Sequence, residues 1–530
     1  MIPHFFLFVN SKFKFLHTFF DFSHHICMKN SVSKGAIKLI VSGIVCKIFG
    51  ALFRLPLTNI LGIAGIGGYQ MVMSLYSLTL GFVSGGVTNA LSKLVSSSRA
   101  RGDYKAIGGY YHYALLFSLS LSLVFGLFFA LLSKPIAALQ GFDGASISYM
   151  LLALLLPLGA LIGTFRGIIQ GHENMTPTAI SQIIEQSVKF AFGLVFAYIL
   201  GKFGVGSGVF GAFLGITVSE VLAAIFLAVM VVKKVKIRAA KAPVRSEFFK
   251  AVLPLTFSGS VLPLTFAIEA LIITSLLLRA GIESDSVTTL YGLQSGVVGA
   301  ILHFPLVISL SAATAMLPKI SYLSSQDDID GQKAVTNKAF SIMWFFLIPL
   351  VIGIISISRE LYRIIYSNIV EGYIDVAYQL TLLGGFAIVL SAITQLLNSI
   401  LQAKGFYNYS LLFNIVGGVF KMLSLIILAP ISKINIFAIP ISNIILYSII
   451  CICALVKLGG LVRVNFYNLM LPLLASFIMY MVIRLWLSYL GGVWGVLIAV
   501  VLGGVIYLLL CLPLIIDYGK DLMKRRKVKV

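Results

Sequence analysis

Long apolar stretches, separated by short polar breaks, run through nearly the whole chain. Each is roughly 20 residues or more in length and can cross a ~30 Å hydrocarbon core as a helix. A transmembrane barrel would instead show weak alternating strands of ~10 residues. The pattern predicts an all-α polytopic membrane protein with about fourteen transmembrane helices. They lie near 36–60, 66–96, 108–132, 146–170, 178–201, 206–232, 249–278, 290–317, 338–358, 376–402, 409–429, 435–456, 467–489 and 493–516.

The positive charges are concentrated in the breaks on one predicted side of the membrane. The breaks after even-numbered helices and the tail carry most of the lysines and arginines, for example Arg99, Lys236 and Arg525, whereas those after odd-numbered helices carry few. Cytoplasmic loops are enriched in Lys and Arg, so we expect both termini in the cytoplasm. The net charge of +22 is therefore better explained by membrane topology than by nucleic-acid binding.

Composition supports the same class. The 530 residues are 59% hydrophobic and 11% charged, whereas soluble chains have about 25% charged residues. Four of the five cysteines, at positions 46, 451, 453 and 511, fall inside apolar helices and the fifth is Cys27. Buried Cys usually acts as a small hydrophobe, and their spacing does not indicate a metal site.

The two halves of the chain show a faint internal repetition. Thr88 and Thr314, at the ends of helices 2 and 8, are separated by 226 residues, and Ile168 and Ile400 by 232. Weak repetition of this kind is typical of secondary transporters, whose substrate sites lie between the repeats. We therefore expect an N-lobe of helices 1–6 at 28–232, a basic linker at 233–248 and a C-lobe of helices 7–12 at 249–456. Helices 13 and 14 at 457–516 and a basic tail at 517–530 complete the predicted organisation.

Residues 1–27 mix Phe with four His residues and show no clean signal-peptide order. Met28 begins a segment that is typical of a cytoplasmic N-terminus. We therefore expect Met28 to be the initiator. The alternative is an amphipathic anchor that lies in the membrane interface. An intact mass from the native host that begins at Met28 is the expected result, and retention of Met1 would contradict it.

Ionisable residues at membrane depth are costly and are functional candidates. Lys47 and Arg54 are seven residues apart in helix 1, about two turns, so they share a face. A cationic face suits an anionic cargo because Arg can bind phosphate with two hydrogen bonds. A role in topology or helix pairing is the alternative.

Glu269 lies in helix 7 after Pro254 and Pro263, where it can bind a coupling Na⁺ or H⁺ or pair with a buried cation. Glu185 and Lys189 are four residues apart and can pair with each other, which favours a structural or gating role. Glu220 and Lys421 are weaker candidates. The remaining polar residues in helices, which can hydrogen-bond a sugar or bridge helices, are Gln170, Gln402, Asn398, Asn414 and His303.

The sequence contains no nucleotide-binding P-loop and no HExxH motif, and we assign no catalytic residue, metal or cofactor. The predicted loops are too short for a soluble catalytic domain. We therefore expect a transporter rather than an enzyme.

Three segments resemble the stage V sporulation protein B family. They read FRLPLTNILG at 53–62 followed by GIGGYQ at 65–70, ALSKLV at 90–95, and MTPTAISQIIEQ at 175–186. The resemblance covers about residues 30–516. That family belongs to the multidrug/oligosaccharidyl-lipid/polysaccharide exporter superfamily and is similar to the MurJ-type lipid II flippases.

The resemblance implies two six-helix lobes around an alternating-access cavity, with two further helices that can form a groove for a lipid tail. It also implies a cargo of undecaprenyl-pyrophosphate-linked sugar for peptidoglycan or spore cortex, carried across the cytoplasmic membrane. Arg54 would meet the pyrophosphate. Where the flippases show arginines in helices 2 and 8, this chain offers Gln70 and His303, and Glu269 falls where relatives place a cation-binding carboxylate.

The resemblance leaves the energy source open among Na⁺, H⁺ and the membrane potential, and we expect a monomer in contact with membrane lipids. Two alternatives remain. One is a cation-coupled multidrug exporter of the same superfamily, against which helices 13 and 14 and the cationic helix 1 count. The other is a membrane glycan polymerase or ligase, against which the short outer loops count.

Overall fold

The computed structural model describes residues 31–235, 244–366, 371–462 and 466–516. Within them the chain is helical and contains no strand, so the predicted all-α class is confirmed. The predicted extension at 1–27, most of the basic linker and the basic tail lie outside the described residues. Helices α3 to α7 are Tyr104–Leu139, Ser146–Gly171, Thr176–Gly201, Val205–Lys234 and Arg245–Arg279. Helices α9 to α14 are Ile329–Ile365, Glu371–Ala403, Tyr407–Leu428, Ala438–Leu458, Phe466–Tyr489 and Gly492–Leu510.

The first two predicted helices are joined without a loop. The helix Ser31–Leu80 is interrupted at Gly62, where φ is 72° and ψ is 176°. Glycine adopts this left-handed conformation without the steric cost that a side chain brings, so Gly62 turns the chain between α1 (31–61) and α2 (63–100). Helix α2 continues through a π-helical segment, Gly81–Gly85, into Gly86–Ala100.

Helix α8 is the most irregular of the bundle. It begins as Ser284–Gly292, passes through a second π-helical segment, Leu293–Val298, and breaks after Leu302. Pro305 precedes its last part, Leu306–Ser325, because proline fits the start of a helix but not its interior. Twelve candidate membrane spans meet length and hydropathy criteria in the described residues, and one of them, Ile48–Ala100, contains both sides of the Gly62 turn. Counting α1 and α2 separately and including the interrupted α8 gives fourteen helices, consistent with the predicted number.

We call the end of the bundle that holds the turns after α1, α3 and α5 the outer end, following the charge-based orientation, and the opposite end the inner end. The N-lobe (α1–α6) has one apolar cluster around Phe53, Leu152 and Phe213 and a second around Tyr110 and Leu227. Such side chains hold the helices of the lobe together by van der Waals packing, since lipid provides no hydrophobic driving force between membrane helices.

Helix α7 packs with both lobes. Phe248 and Val252, near its inner end, belong to the inner apolar cluster of the N-lobe. Ala270 and Ile273, near its outer end, belong instead to the large cluster of the C-lobe (α7–α12). Helix α7 therefore connects the two cores along its length.

Helices α13 and α14 attach to the C-lobe through α9. The Tyr507 hydroxyl of α14 donates a hydrogen bond of 2.6 Å to the Phe345 carbonyl, and the Asn468 amide of α13 donates to Ser341 Oγ at 2.9 Å. Met479 and Ile357 pack in the apolar cluster between these helices. The pair is thus bound to one lobe only.

The lobes approach each other closely at the outer end, between α2 and α8. A Cβ atom on Gly67 would lie 2.3 Å from the Thr288 carbonyl oxygen, and one on Gly292 would lie 2.0 Å from the Ile63 carbonyl oxygen. Both glycines are needed at this contact because small residues let helix backbones approach closely in membranes.

Substitution of Gly67 by alanine is expected to separate the lobes at the outer end. Overpacking typically costs about 1–3 kcal/mol, which raises the population of a separated state roughly 5- to 160-fold. The distance between spin labels at Phe203 and Lys433, which lie on outer turns of the two lobes, measures this population in a cysteine-free background. Gly259→Ala is the control, since its added Cβ meets nothing within 4 Å, and an unchanged distance distribution in Gly67→Ala would contradict the expectation.

Candidate functional site

Arg54 lies in α1 two turns before Gly62, close to the outer contact between the lobes. The Thr58 hydroxyl donates to the Arg54 carbonyl at 2.8 Å, and the Asn59 amide donates to the Ile365 carbonyl of α9 at 2.8 Å. Tyr69 of the N-lobe and Tyr366 of the C-lobe are its aromatic neighbours. The Arg54 side chain is half-buried and makes no ion pair with a described carboxylate, so its charge is open to an anionic ligand.

The other residues predicted to contact the headgroup do not share the surroundings of Arg54. The buried Gln70 amide donates to the Ser295 carbonyl in the π-helical segment of α8 at 3.1 Å and so joins the lobes. His303 is exposed at the break in α8, with Nδ1 2.5 Å from the Gly299 carbonyl oxygen. The Lys47 side chain lies outside the described residues. Their roles toward a headgroup stay predictions.

Glu269 of α7 pairs with Lys421 of α11. The distance between Lys421 Nζ and Glu269 Oε2 is 2.7 Å, and both side chains are buried. Lys421 Nζ also lies 3.7 Å from the centroid of the Phe266 ring, a favourable position for a cation. Of the two roles expected for Glu269, the structure shows the pairing with a buried cation. A role of Glu269 in coupling stays a prediction.

The expected pairing of Glu185 with Lys189 is not the one formed. Glu185 Oε2 is 2.9 Å from Arg166 Nη2 of α4, and Arg166 Nε donates to Ser181 Oγ at 3.1 Å. Lys189 instead points toward the Phe53 ring of α1, with Nζ 5.7 Å from its centroid. The Arg166 side chain reaches from α4 to α5 and takes the place that spacing within α5 would give to Lys189.

Sequence reasoning missed Arg166, although an arginine inside an apolar stretch is itself a signal. Residues equally far from the turn at 172–175 lie at the same level of the two helices. Arg166 and Ser181, each six residues from the turn, satisfy this relation, and Glu185 lies about one helical turn further along α5. The partner of Glu220, which is the Tyr76 hydroxyl of α2, had no such local signal.

The remaining polar candidates lie near the inner ends of helices. Asn398 donates to Asn414 Oδ1 at 3.4 Å and accepts from Ser410 Oγ at 2.9 Å, so these residues bridge α10 and α11. Gln170 is half-buried at the end of α4 and Gln402 is exposed at the end of α10. The structure does not bring these two glutamines together with Arg54 in one site.

The charges that the structure describes at membrane depth are unequal in the two lobes. In the C-lobe, Lys421 is neutralised by Glu269. In the N-lobe, Arg166 is neutralised by Glu185, and Arg54 and Lys189 have no described carboxylate within ion-pair distance. The N-lobe interior therefore has a cationic character that suits an anionic ligand.

Residues 32–324, more than half of the chain, match the family model described as polysaccharide biosynthesis protein. Stage V sporulation protein B of Bacillus subtilis (strain 168) is 27% identical over 385 residues, which cover 70% of this chain and 74% of that protein. Lipid II flippase MurJ of the same organism is 24% identical over 371 residues, 64% of this chain and 67% of that protein.

Solved structures show the same fold. Lipid II flippase MurJ in an inward closed conformation superposes with a TM-score of 0.69 at 16% identity, over 92% of this chain and 100% of that chain. A multidrug resistance MATE family transporter of the MOP superfamily, in an inward-facing conformation, gives 0.63 at 14% identity, over 78% of this chain and 98% of that chain. The chain is a multi-pass membrane protein with this transporter fold.

Removal of one member of the Glu269–Lys421 pair is expected to destabilise the protein strongly. A single change, Glu269→Gln or Lys421→Met, leaves an uncompensated buried charge, which costs about 3–5 kcal/mol. The double variant removes both charges and should recover much of the loss. Thermal unfolding in detergent measures the effect.

Asp375→Asn is the matched control, because its pair with Arg359 is partly exposed and such pairs contribute only about 0–1 kcal/mol. Single variants that unfold at the same temperature as the parent protein would contradict a stabilising pair.

Proposed function

The chain belongs to the polysaccharide biosynthesis protein family, and on that premise we propose that it is a flippase for a polyprenyl-pyrophosphate-linked saccharide. Two relatives support the cargo class, one of them named a lipid II flippase and the other a sporulation protein. The cargo is a lipid II-type precursor of peptidoglycan or spore cortex. It crosses the cytoplasmic membrane by alternating access between the two lobes, and both termini of the chain lie in the cytoplasm.

The observation that carries this proposal is the position of Arg54. Its guanidinium is half-buried and without a described carboxylate partner, close to residues of both lobes. Binding of a pyrophosphate there replaces lost hydration with bidentate, charge-assisted hydrogen bonds. Lys47, two turns earlier on the same face, adds a second cation, and Gln70 and His303 supply weaker contacts.

A multidrug exporter is the second candidate, because the chain shares its fold with MATE transporters. Two features favour the flippase. The unpaired cations of the N-lobe favour an anionic cargo, and α13 and α14 pack on α9 as an additional apolar pair suited to a lipid tail.

A glycan polymerase or ligase is the alternative from a different class. Such an enzyme needs carboxylates in sizeable outer loops, whereas the described outer turns are short, such as the one at 202–204 between α5 and α6. The acidic residues near the outer end of α9 are also accompanied by arginine, since Arg363 pairs with Glu360 and Glu371.

Coupling is proposed to Na⁺, H⁺ or the membrane potential, with Glu269 as one candidate ion ligand. No other cofactor is needed, and the flippase acts as a monomer. Gln170, Gln402, Glu185, Lys189 and Lys421 act in gating or structure rather than in cargo binding.

Depletion of the protein tests the function directly. In cells that also lack its relatives, lipid II is expected to accumulate on the inner leaflet and to become inaccessible to a probe added outside. Undiminished exposure on the outer leaflet would exclude the flippase function.

Arg54→Ala is expected to abolish translocation while the protein inserts normally into the membrane, because the headgroup loses its bidentate partner. Arg54→Lys keeps the charge but not the fork geometry, so we expect a partial loss of activity. Lipid II translocation in vesicles that contain equal amounts of protein measures both. Arg279→Ala, at an exposed outer position, is the control, and full activity of Arg54→Ala would remove Arg54 as the headgroup ligand.

A further inference from the structure

Three carboxylates lie at membrane depth in the part of the chain that the structure describes, and one of them has no cation partner. Glu185 pairs with Arg166, and Glu269 pairs with Lys421. Glu220 of α6 is in no described ion pair, although it is only 5% exposed. It therefore differs from the other two in how its charge is balanced.

Only one of the two carboxyl oxygens of Glu220 has a hydrogen-bond partner among the described residues. Its Oε1 accepts a hydrogen bond from the hydroxyl of Tyr76 on α2, which is also buried. Its Oε2 is buried and has no hydrogen-bond partner among the described residues. The charged side chains that face it are Glu185 and Lys189 of α5 and Arg166 of α4, and neither cation lies within ion-pair distance.

An ionised carboxylate in this position is very costly, because no described cation pairs with it to compensate for its lost hydration. The nearby Glu185 adds repulsion between like charges. A proton on Oε2 removes the charge and leaves Oε1 as the acceptor for Tyr76, which agrees with the observed contact. A metal ion would need several oxygen ligands, and Tyr76 is the one described side chain that hydrogen-bonds this carboxylate.

We propose that Glu220 is a proton-binding site in the N-lobe, positioned by Tyr76, through which a proton gradient drives translocation. The coupling part of this inference depends on the proposed function, whereas proton binding itself does not. Tyr76 lies about one turn before the π-helical segment Gly81–Gly85, and such segments frequently mark functional positions in helices. A movement of α2 there withdraws the Tyr76 hydroxyl and exposes the carboxyl, which releases its proton and becomes an anion near Lys189.

Infrared spectroscopy of the purified protein in lipid at neutral pH tests proton binding without any transport assay. A protonated carboxyl gives a C=O stretching band that an ionised one lacks. We expect this band in the parent protein, its loss in Glu220→Gln and its retention in Glu283→Gln, where the carboxyl is exposed. A spectrum unchanged by Glu220→Gln overturns the assignment of the proton to Glu220.

Tyr76→Phe provides an independent variant that keeps the carboxyl and covers the case in which Glu220→Gln does not fold. The band should shift in frequency because its carbonyl loses a hydrogen bond. An unshifted band would contradict the positioning role of Tyr76.

Lipid II translocation in vesicles tests the coupling. We expect an imposed pH gradient to accelerate translocation by the parent protein and by Glu283→Gln, and the acceleration to fall at least tenfold in Glu220→Gln. A response that follows a Na⁺ gradient instead, or one that Glu220→Gln retains, overturns coupling through Glu220. Loss of translocation by the parent protein under every gradient would count against the flippase function and leave the infrared result intact.

Discussion

The absence of water in the bilayer core is the constraint on which this structure depends. A charge at that depth must find its partner inside the protein, at a cost that only good geometry offsets. Lys421 and Glu269 do so across α7 and α11, and Arg166 and Glu185 across α4 and α5. These pairs fix the rotation of four helices about their axes, which apolar surface alone specifies poorly because lipid and Leu are equally apolar.

The same constraint makes the two lobes chemically different despite their similar build. Lys189 and Lys421 are 232 residues apart, the spacing found for Ile168 and Ile400. Lys421 is neutralised, whereas Lys189 has a phenyl ring as its described neighbour. The C-lobe is therefore internally balanced, and the N-lobe retains the positive charge and the protonatable carboxyl. The proposed anionic cargo and the proposed proton site of Glu220 therefore both fall in the N-lobe.

Much of the fold could be predicted from the sequence because hydropathy over some 20 residues is a local property. The bounds found for α4 (Ser146–Gly171) and α5 (Thr176–Gly201) lie close to those predicted. Helix α9 (Ile329–Ile365) extends well beyond its apolar part at both ends, since polar residues continue a helix where the membrane ends. The turn at Gly62 lies inside the predicted break at 61–65. The chain turns there within a single residue, because Gly62 adopts a left-handed backbone conformation.

The site was less predictable, because ion pairs depend on how helices rotate and pack. Local spacing favoured Glu185 with Lys189, whereas Glu185 pairs with Arg166 of the preceding helix. Glu269 and Lys421 are 152 residues apart, so no local pattern connects them. Arg54 could be singled out because a charge within an apolar run is visible in the sequence, whereas its exposure between the lobes depends on tertiary contacts such as Asn59 with Ile365.

These contacts also determine where the molecule must bend when the lobes move. The inner end of α7 is bound to the N-lobe, since Glu247 accepts a hydrogen bond from Tyr110 and lies 3.8 Å from Arg101. Its outer half is bound to the C-lobe by the buried pair of Glu269. Between these attachments lie Pro254 and Pro263, each of which removes one backbone hydrogen bond and favours a kink. Separation of the lobes at the inner end must therefore either break one attachment or bend α7 at its prolines, and bending keeps both the buried ion pair of Glu269 and the buried Phe248 in place.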